Sequence, residues 1–141
     1  MTSHRLPIRV YFEDTDAGGV VYHASYLRFA ERARTEALRA AGAPHAELQA
    51  GHGMIFVVRR IKIDYLRPAA LDSLLVVETE SLAVGGASIT LRQRFWEAEE
   101  LLAEMEVVLV CIQQASLRPA RIPPRWRAIL TPADSGVAEG E

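Results

Sequence analysis

Polar and apolar residues alternate along most of the chain beyond residue 53, and a period of two residues predicts β-strands. Four strands are predicted, over residues 54–66, 73–83, 87–98 and 100–114. Alternation is clearest in the third strand, where one face carries Ile89, Leu91, Gln93 and Phe95. The breaks between the strands, "RPAALD", "VGG" and "EAEE", have the turn or polar character of short connections. A run of antiparallel strands is therefore expected.

Helical spacing replaces this alternation over residues 25–41. The apolar positions of one face are Tyr26, Phe29, Ala30, Ala33, Ala37, Leu38 and Ala41. On the charged opposite face, Arg32 and Glu36 have the spacing of an i,i+4 ion pair. Gly42 followed by Pro44 is a helix stop signal. Because the apolar face is mostly alanine, a sheet can approach this helix closely.

The order of the predicted elements defines a fold class. Residues 7–12, "PIRVYF", read as a first strand that ends in an acidic turn, and a loop with Gly51 and Gly53 follows the helix. One strand, one long helix and a run of strands predict an α+β fold, with a central helix on a curved antiparallel sheet of about five strands. Residues 1–130 are expected to form a single domain, and the small, polar residues 131–141 are typical of a disordered tail.

Composition narrows the classes of partner. The 141 residues carry a net charge of −2, which provides no general electrostatic attraction to nucleic acid. A single cysteine excludes an internal disulfide framework, and the start "MTSHRLPIRV" lacks the apolar stretch of a signal peptide, so the cytoplasm is the expected location. No apolar run approaches the roughly 18 residues of a membrane-spanning helix, which leaves only peripheral membrane association open.

Several kinds of catalytic site are disfavoured by their missing residues. Asp14 and Asp16 match the first ligands of an EF-hand, but Gly18 and Ser25 occupy two other ligand positions, and no His or Cys pair has zinc-ligand spacing. Neither phosphate-binding glycine motif is present, so neither a metal nor a cofactor is expected. There is no G-x-S-x-G motif, and Cys111 lies in an apolar strand, where a buried inert thiol is expected.

The segment "EDTDAGGVVYHASY" nevertheless combines groups that can act on a carbonyl. Asp14 fits an ordinary turn residue whose side chain caps the turn. Asp16 precedes a helix N-terminus, where backbone N–H groups without partners can stabilise an oxyanion. Gly18 and Gly19 would permit a ligand to approach closely. His23 lies near the helix start, where its N–H could donate to a carbonyl oxygen; a local structural hydrogen bond of its ring is the alternative.

Two stretches, "YFEDTDAGGVVYHASYLRFAERARTEAL" and "FVVRRIKIDYLRPAALDS", closely resemble a known family. They are similar to the hotdog-fold acyl-CoA thioesterases of the 4-hydroxybenzoyl-CoA thioesterase type, in particular the bacterial Tol-Pal-associated subgroup. The resemblance extends over roughly residues 7–125 and implies a long helix wrapped by a strongly curved antiparallel sheet. It also implies homodimers, which in this family often associate as homotetramers.

The resemblance implies hydrolysis of an acyl-CoA thioester to a free acid and coenzyme A. The family's catalytic carboxylate, the second aspartate of D-x-D-x-x-G, falls on Asp16, which would act as nucleophile or general base. The amide N–H that polarises the thioester carbonyl falls on His23. The neighbouring residues expected to bind substrate are Gly18, Gly19, Val20 and Tyr22.

The chain departs from the family pattern at two places. Phe12 occupies a position where close relatives often carry a tyrosine hydroxyl, and "AVGGAS" forms a turn where relatives often place basic residues near the nucleotide phosphates. Arg59, Arg60 and Lys62 are then the candidate phosphate contacts. The latter two share one strand face, and the alternative is that these cations only solvate the outer face of the sheet.

Two other functions remain open at this point. A non-catalytic module that binds acyl-CoA or a protein would use the same fold as a scaffold, because fold alone does not define function. An enoyl-thioester hydratase would need a His with an Asp or Glu placed to move a proton at the α-carbon, and the motif lies on the thioesterase pattern instead.

Overall fold

The computed structural model of the protein describes Met1 and residues 3–132. The described residues form five strands and three α-helices. The strands are β1 (His4–Arg9), β2 (Met54–Tyr65), β3 (Leu74–Val84), β4 (Ser88–Glu97) and β5 (Glu100–Gln113). The helices are α1 (Ser25–Ala40), α2 (His45–His52) and α3 (Pro124–Leu130). Among these helices none is long and apolar enough to cross a bilayer.

The five strands form one sheet in the order β1-β3-β4-β5-β2, and every neighbouring pair is antiparallel. β3, β4 and β5 follow one another through short turns, whereas β1 and β2 occupy the two edges. The predicted α+β class with a curved antiparallel sheet of five strands is confirmed. The four longer strands lie within one residue of the predicted ranges at each end, because turn and polar residues mark the breaks between them.

The core lies between α1 and one face of the sheet. Phe29, Ala30 and Ala33 of α1 are fully buried, and Ile89 and Phe95 of β4 are buried opposite them. Both apolar faces predicted from the sequence therefore point into the same core. Fully burying one large apolar side chain of this kind contributes about 1.5–3 kcal/mol, so this interface supplies much of the driving force for folding.

A polar cluster interrupts this apolar core. The Gln93 amide of β4 is fully buried, and its Nε2 donates to the Ala30 carbonyl at 2.9 Å and to Thr79 Oγ1 at 3.0 Å. Its Oε1 accepts from Arg34 Nη1 at 2.9 Å. Since unpaired buried polar groups are costly, these bonds fix how α1 sits on the sheet.

The first strand differs from the prediction. It spans His4–Arg9 rather than residues 7–12, so Tyr11 and Phe12 lie outside the sheet and Phe12 is 82% exposed. Phe12–Asp14 forms a single 3-10 turn instead. The Asp14 carboxylate accepts the Tyr11 N–H at 2.8 Å and holds the chain in that turn, which ends the strand early.

The C-terminus of α1 follows the predicted stop signal. Gly42 has φ +84°, a left-handed conformation that favours glycine, and its N–H donates to the Arg39 carbonyl. The predicted Arg32–Glu36 pair is not among the ion pairs of the described residues. Glu36 pairs with Arg39 at 2.6 Å instead, one turn nearer the C-terminus.

Two helices were not predicted. The expected loop with Gly51 and Gly53 contains α2, which buries only Leu48 and so has almost no apolar periodicity. α3 begins at the second of two consecutive prolines and buries Trp126, whose indole N–H donates to the Ala43 carbonyl at 3.0 Å. Of the predicted tail, residues 133–141 lie outside the described residues.

Candidate active site

Two acids of the segment between β1 and α1 have separate roles. Asp14 is buried, and besides accepting the Tyr11 N–H through its carboxylate it accepts the Tyr22 N–H through its backbone carbonyl. Ser25 Oγ donates to the same carbonyl at 3.1 Å. The predicted role of Asp14 as a capping turn residue is confirmed, and its contacts tie the turn to the start of α1.

Asp16 is exposed, and one of its carboxylate oxygens is held by the turn that follows. Oδ1 accepts the Gly18 N–H at 2.8 Å and the Val20 N–H at 3.4 Å. Within residues 3–132, Oδ2 has no hydrogen-bond partner. The turn therefore orients the carboxylate and leaves one oxygen available for chemistry.

The two glycines of this turn serve its geometry. A Cβ on Gly18 would lie 3.3 Å from Asp16 Oδ1, tighter than most real contacts, and would disturb the carboxylate. Gly19 has φ +82°, which other residues rarely adopt. Around Gly19 a Cβ would meet no atom within 4 Å, so the backbone conformation, rather than space, favours glycine there.

Residues 21–25 connect this turn to the start of α1. The Val21 N–H donates to the Ala69 carbonyl at 2.8 Å, and Ser25 donates to the Tyr22 carbonyl at 2.8 Å. The His23 N–H lies between these bonds, and no acceptor for it exists in the described part of the chain. Its ring is exposed and packs against the Tyr22 ring at a centroid distance of 4.5 Å. An unpaired amide at a helix start can polarise a carbonyl.

Asp16 and His23 line the same cleft, which has a volume of about 330 Å³. The other lining residues are Val21, Tyr26, Tyr65, Leu66, Arg67 and Pro68. Tyr65, at the end of β2, donates its hydroxyl to the His23 carbonyl at 2.9 Å. This bond ties the edge of the sheet to the start of α1 and holds the peptide group that follows His23.

Three polar residues of this cleft were missed by sequence reasoning, namely Tyr26, Tyr65 and Arg67. Burial, reinforced by the neighbouring Tyr65 and Glu97, raises the pKa of Tyr26, and burial also raises the pKa of Tyr65. Both phenols therefore stay neutral near pH 7 and can donate hydrogen bonds. Arg67 pairs with Glu100 at 2.9 Å near the surface. The sequence feature that could have indicated Tyr65 and Arg67 is the polar cluster "DYLRP" at a strand end, beside the turn before β3.

The three cations proposed for phosphate contacts do not line this cleft. The register shifts between Val58 and Arg60, which places Arg59 in a β-bulge. Arg60 and Lys62 share a face, as predicted, and Lys62 lies opposite Glu106 on the side of the sheet away from α1. In the single chain the position of these cations agrees with the alternative to phosphate binding, in which they are solvent-exposed side chains on the outer face of the sheet.

The turn between β3 and β4 contains no basic residue of its own, but Arg127 of α3 contacts it. Arg127 of α3 donates from Nη2 to the Gly85 and Gly86 carbonyls at 2.9 and 2.8 Å. Since about forty residues separate the arginine from the turn, no local pattern could have predicted the contact. Residues that could hold a metal ion do not cluster in groups of three or more within the described ranges.

A long helix wrapped by one curved antiparallel sheet of five strands defines a hotdog-fold protein, and the cleft lined by Asp16 and His23 lies at the start of that helix. A model of the thioesterase superfamily matches residues 18–104. The chain belongs to the thioesterase superfamily, and the prediction of an enzyme of the thioester hydrolase class is confirmed.

Individual relatives agree with this assignment. The chain is 47% identical over 123 residues to "Acyl-CoA thioester hydrolase YbgC" of Escherichia coli O157:H7, across 86% of this chain and 91% of that protein. It is 45% identical over 122 residues to "Acyl-CoA thioesterase YbgC" of Haemophilus influenzae, across 86% and 90% of the two chains. The crystal structure of a probable thioesterase from Bartonella henselae has a TM-score of 0.83 and 38% identity, and it covers 86% of this chain and all of that one.

Proposed function

We propose that the protein hydrolyses an acyl-CoA thioester to a free acid and coenzyme A. The observation that carries the proposal is that Asp16 and His23, which lie on different turns, line one cleft. The printed activities of the Escherichia coli and Haemophilus influenzae relatives support acyl-CoA as the substrate class.

In this mechanism the thioester carbonyl oxygen accepts the hydrogen bond of the His23 N–H. As the carbonyl carbon is attacked, negative charge develops on that oxygen, and the N-terminus of α1 stabilises it more than it stabilises the neutral substrate. Removing one such donor costs about 2.7–4 kcal/mol in known oxyanion sites. The bond from Tyr65 to the His23 carbonyl limits the movement of the peptide segment at this point.

Asp16 supplies the attacking group by one of two routes. As general base it removes a proton from water while the water oxygen bonds to the carbonyl carbon, and the carbon–sulfur bond then breaks. As nucleophile it forms a mixed anhydride with release of the thiolate, and water then hydrolyses the anhydride. Both routes use the oxygen that the Gly18 and Val20 amides leave free.

The remaining site residues are proposed around these two groups. Gly18, Gly19 and Val20 shape the turn beside the reacting carbon, and Tyr22 packs against the His23 ring. Arg59, Arg60 and Lys62 are kept as contacts for the phosphates of coenzyme A. Because β2 is an edge strand, these cations would reach a substrate that lies in the cleft of a second copy paired along that edge.

We therefore propose a homodimer through β2, which can associate further into a homotetramer. The free edge of β2 and its exposed Val58 and Tyr65 support a second copy there. Light scattering is expected to show at least twice the mass of one chain, and the mass of a single chain at micromolar concentrations would contradict this proposal.

We place the enzyme in the cytoplasm, where acyl-CoA substrates are made. The single cysteine is buried, and burial raises the pKa of the Cys111 thiol, so it stays a protonated thiol rather than a reactive thiolate. Cell fractionation should recover the protein with a cytoplasmic marker, and recovery with a periplasmic marker would exclude this location.

The activity is tested by measuring thiol release from short, long and aromatic acyl-CoA compounds. We expect release of coenzyme A from at least one class, since Asp16 and His23 line one cleft of the native chain. Tight acyl-CoA binding without release over hours would instead favour a binding module. Hydration of a trans-2-enoyl-CoA without thiol release would favour a hydratase.

A further inference from the structure

One buried tyrosine lines the cleft of Asp16 and His23. Tyr26 belongs to the lining, yet the residue is only 3% exposed, whereas the other three tyrosines of the chain are exposed. Its hydroxyl forms no hydrogen bond with any other residue of the described chain. The hydroxyl of a buried tyrosine usually has a hydrogen-bond partner. Tyr26 therefore carries a donor whose partner does not come from the described residues.

The free hydroxyl of Tyr26 opens toward the cleft rather than into the core. In the described chain, fully buried polar side-chain atoms without a partner are His4 Nδ1, Ser81 Oγ and Arg127 Nε, and the Tyr26 hydroxyl is not among these. Since it has no partner either, it is accessible at the molecular surface. Because Tyr26 has so little exposed surface and lines the cleft, the hydroxyl is the part of it that reaches the cleft.

Aromatic contacts fix the ring that carries this hydroxyl. The ring of Tyr26 packs edge-on against three others, with centroids 6.2, 5.3 and 5.2 Å away, those of Phe29, Tyr65 and Phe95. Phe29 and Phe95 are fully buried, and edge-to-face pairs favour a defined ring orientation. The hydroxyl is therefore held in one position before a substrate binds, as a donor to a reacting group requires.

The position of Tyr26 relates it to both proposed catalytic groups. The Tyr65 ring contacts the rings of His23 and Tyr26, at centroid distances of 6.4 and 5.3 Å, so the two residues lie on either side of one phenol. No hydrogen bond joins the Tyr26 hydroxyl to the free oxygen of Asp16, although both residues line the same cleft. A group bound between them can therefore contact both.

The surroundings of Tyr26 keep its phenol protonated. Burial raises the pKa of Tyr26, and the neighbouring Tyr65 and Glu97 raise it further. The other charged side chains that line the cleft are Asp16 and Arg67, and Arg67 is paired with a glutamate. Tyr26 is thus a neutral donor near pH 7. A fixed donor of this kind stabilises developing negative charge more strongly in a partly buried site than at the surface.

We propose that the Tyr26 hydroxyl donates a hydrogen bond to the thioester carbonyl oxygen, as a second donor beside the His23 N–H. This role rests on the proposed thioester hydrolysis. When the carbonyl carbon is attacked, an electron pair of the carbonyl bond moves to the oxygen, whose lone pairs can accept from both donors. The carbonyl bond forms again as the carbon–sulfur bond breaks, and the thiolate leaves with the electron pair of that bond. Tyr26 keeps its proton throughout.

Tyr26→Phe tests the donor, because it removes the hydroxyl and keeps the ring. We expect kcat for the best acyl-CoA of the native enzyme to fall about a hundredfold, as on loss of one oxyanion donor. The KM should change less than about threefold, because the neutral carbonyl is a weaker acceptor than the oxyanion. Tyr11→Phe is the matched control: it removes the same group from a residue that is 61% exposed, and kcat should stay within about twofold of the native value.

Replacement of Tyr26 by difluorotyrosine keeps both the ring and the hydroxyl, so it tests the donor even if Tyr26→Phe does not fold. Fluorine lowers the pKa of the phenol, and a phenolate has no proton to donate. As the pH rises, kcat should therefore begin to fall at a lower pH in the fluorinated protein than in the native one. Identical pH profiles of kcat in the two proteins would overturn the proposal.

Two further results would overturn the role of Tyr26 and leave thioester hydrolysis in place. One is native kcat in a folded Tyr26→Phe variant, with folding followed by circular dichroism. The other is a raised KM with unchanged kcat, which would make the hydroxyl a contact of the ground state only. Absence of thiol release by the native chain would instead overturn the proposed function, and this role with it.

Discussion

Replacement of Asp16 by asparagine is expected to lower kcat/KM for acyl-CoA hydrolysis by about a hundredfold to ten-thousandfold. Asparagine has the shape of aspartate and keeps an oxygen for the Gly18 and Val20 amides, so the turn is retained. It is not basic and is a poor nucleophile, so either catalytic route loses its attacking group. Thiol release, measured with the best acyl-CoA of the native enzyme, checks the result.

The matched control is Glu13→Gln. Glu13 lies in the same acidic segment, is exposed, and forms no ion pair with any other described residue. The Glu13→Gln variant loses a nearby negative charge without a change in the cleft. Its turnover should therefore stay within about twofold of the native value. Native turnover in a folded Asp16→Asn variant would show that Asp16 is not the reactive carboxylate.

Replacement of Trp126 by alanine is expected to lower the free energy of unfolding by about 3–5 kcal/mol. Trp126 is 2% exposed, and its loss would leave a cavity between α3 and α2 as well as an unpaired Ala43 carbonyl. The His52 ring, at a centroid distance of 5.5 Å, would lose its partner too. Urea unfolding followed by circular dichroism measures the change.

Phe12→Ala is the control for deleting an aromatic ring. Phe12 is the most exposed of the large hydrophobic residues described, so its removal should change the free energy of unfolding by less than about 0.5 kcal/mol. If Trp126→Ala proved as mild as Phe12→Ala, α3 would contribute little to stability. The conclusion that α3 contributes to the stability of the core would then be wrong.

Asp16 and Trp126 differ in how well the sequence predicts their surroundings. The hydrogen bonds of the Asp16 side chain are local, because its carboxylate accepts from amides two and four residues away. Trp126 is buried only because the chain after β5 folds back toward Ala43, 83 residues earlier. A seven-residue helix has too few periodic positions to be predicted from its own spacing.

The same distinction separates the residues of the candidate site. Asp16 and His23 were predicted, since the turn and the helix start adjoin in sequence. Tyr65 reaches His23 from a strand 42 residues away, and its role follows only from the curvature of the sheet around α1. The hydrogen bond between Arg34 and Gln93 is equally unpredictable from the sequence, because 59 residues separate the two side chains.

The sequence by itself determined the fold class, the bounds of α1 and of four strands, and the acidic turn that carries the proposed catalytic carboxylate. Each of these rests on a repeated spacing or on contacts within a few residues, which a linear pattern records directly. Only the tertiary structure decided the end of β1, the two short helices, and the cations and phenols that surround the cleft. Those features depend on contacts between side chains that are distant in sequence and meet only in the folded protein. Such contacts produce no periodic pattern along the chain.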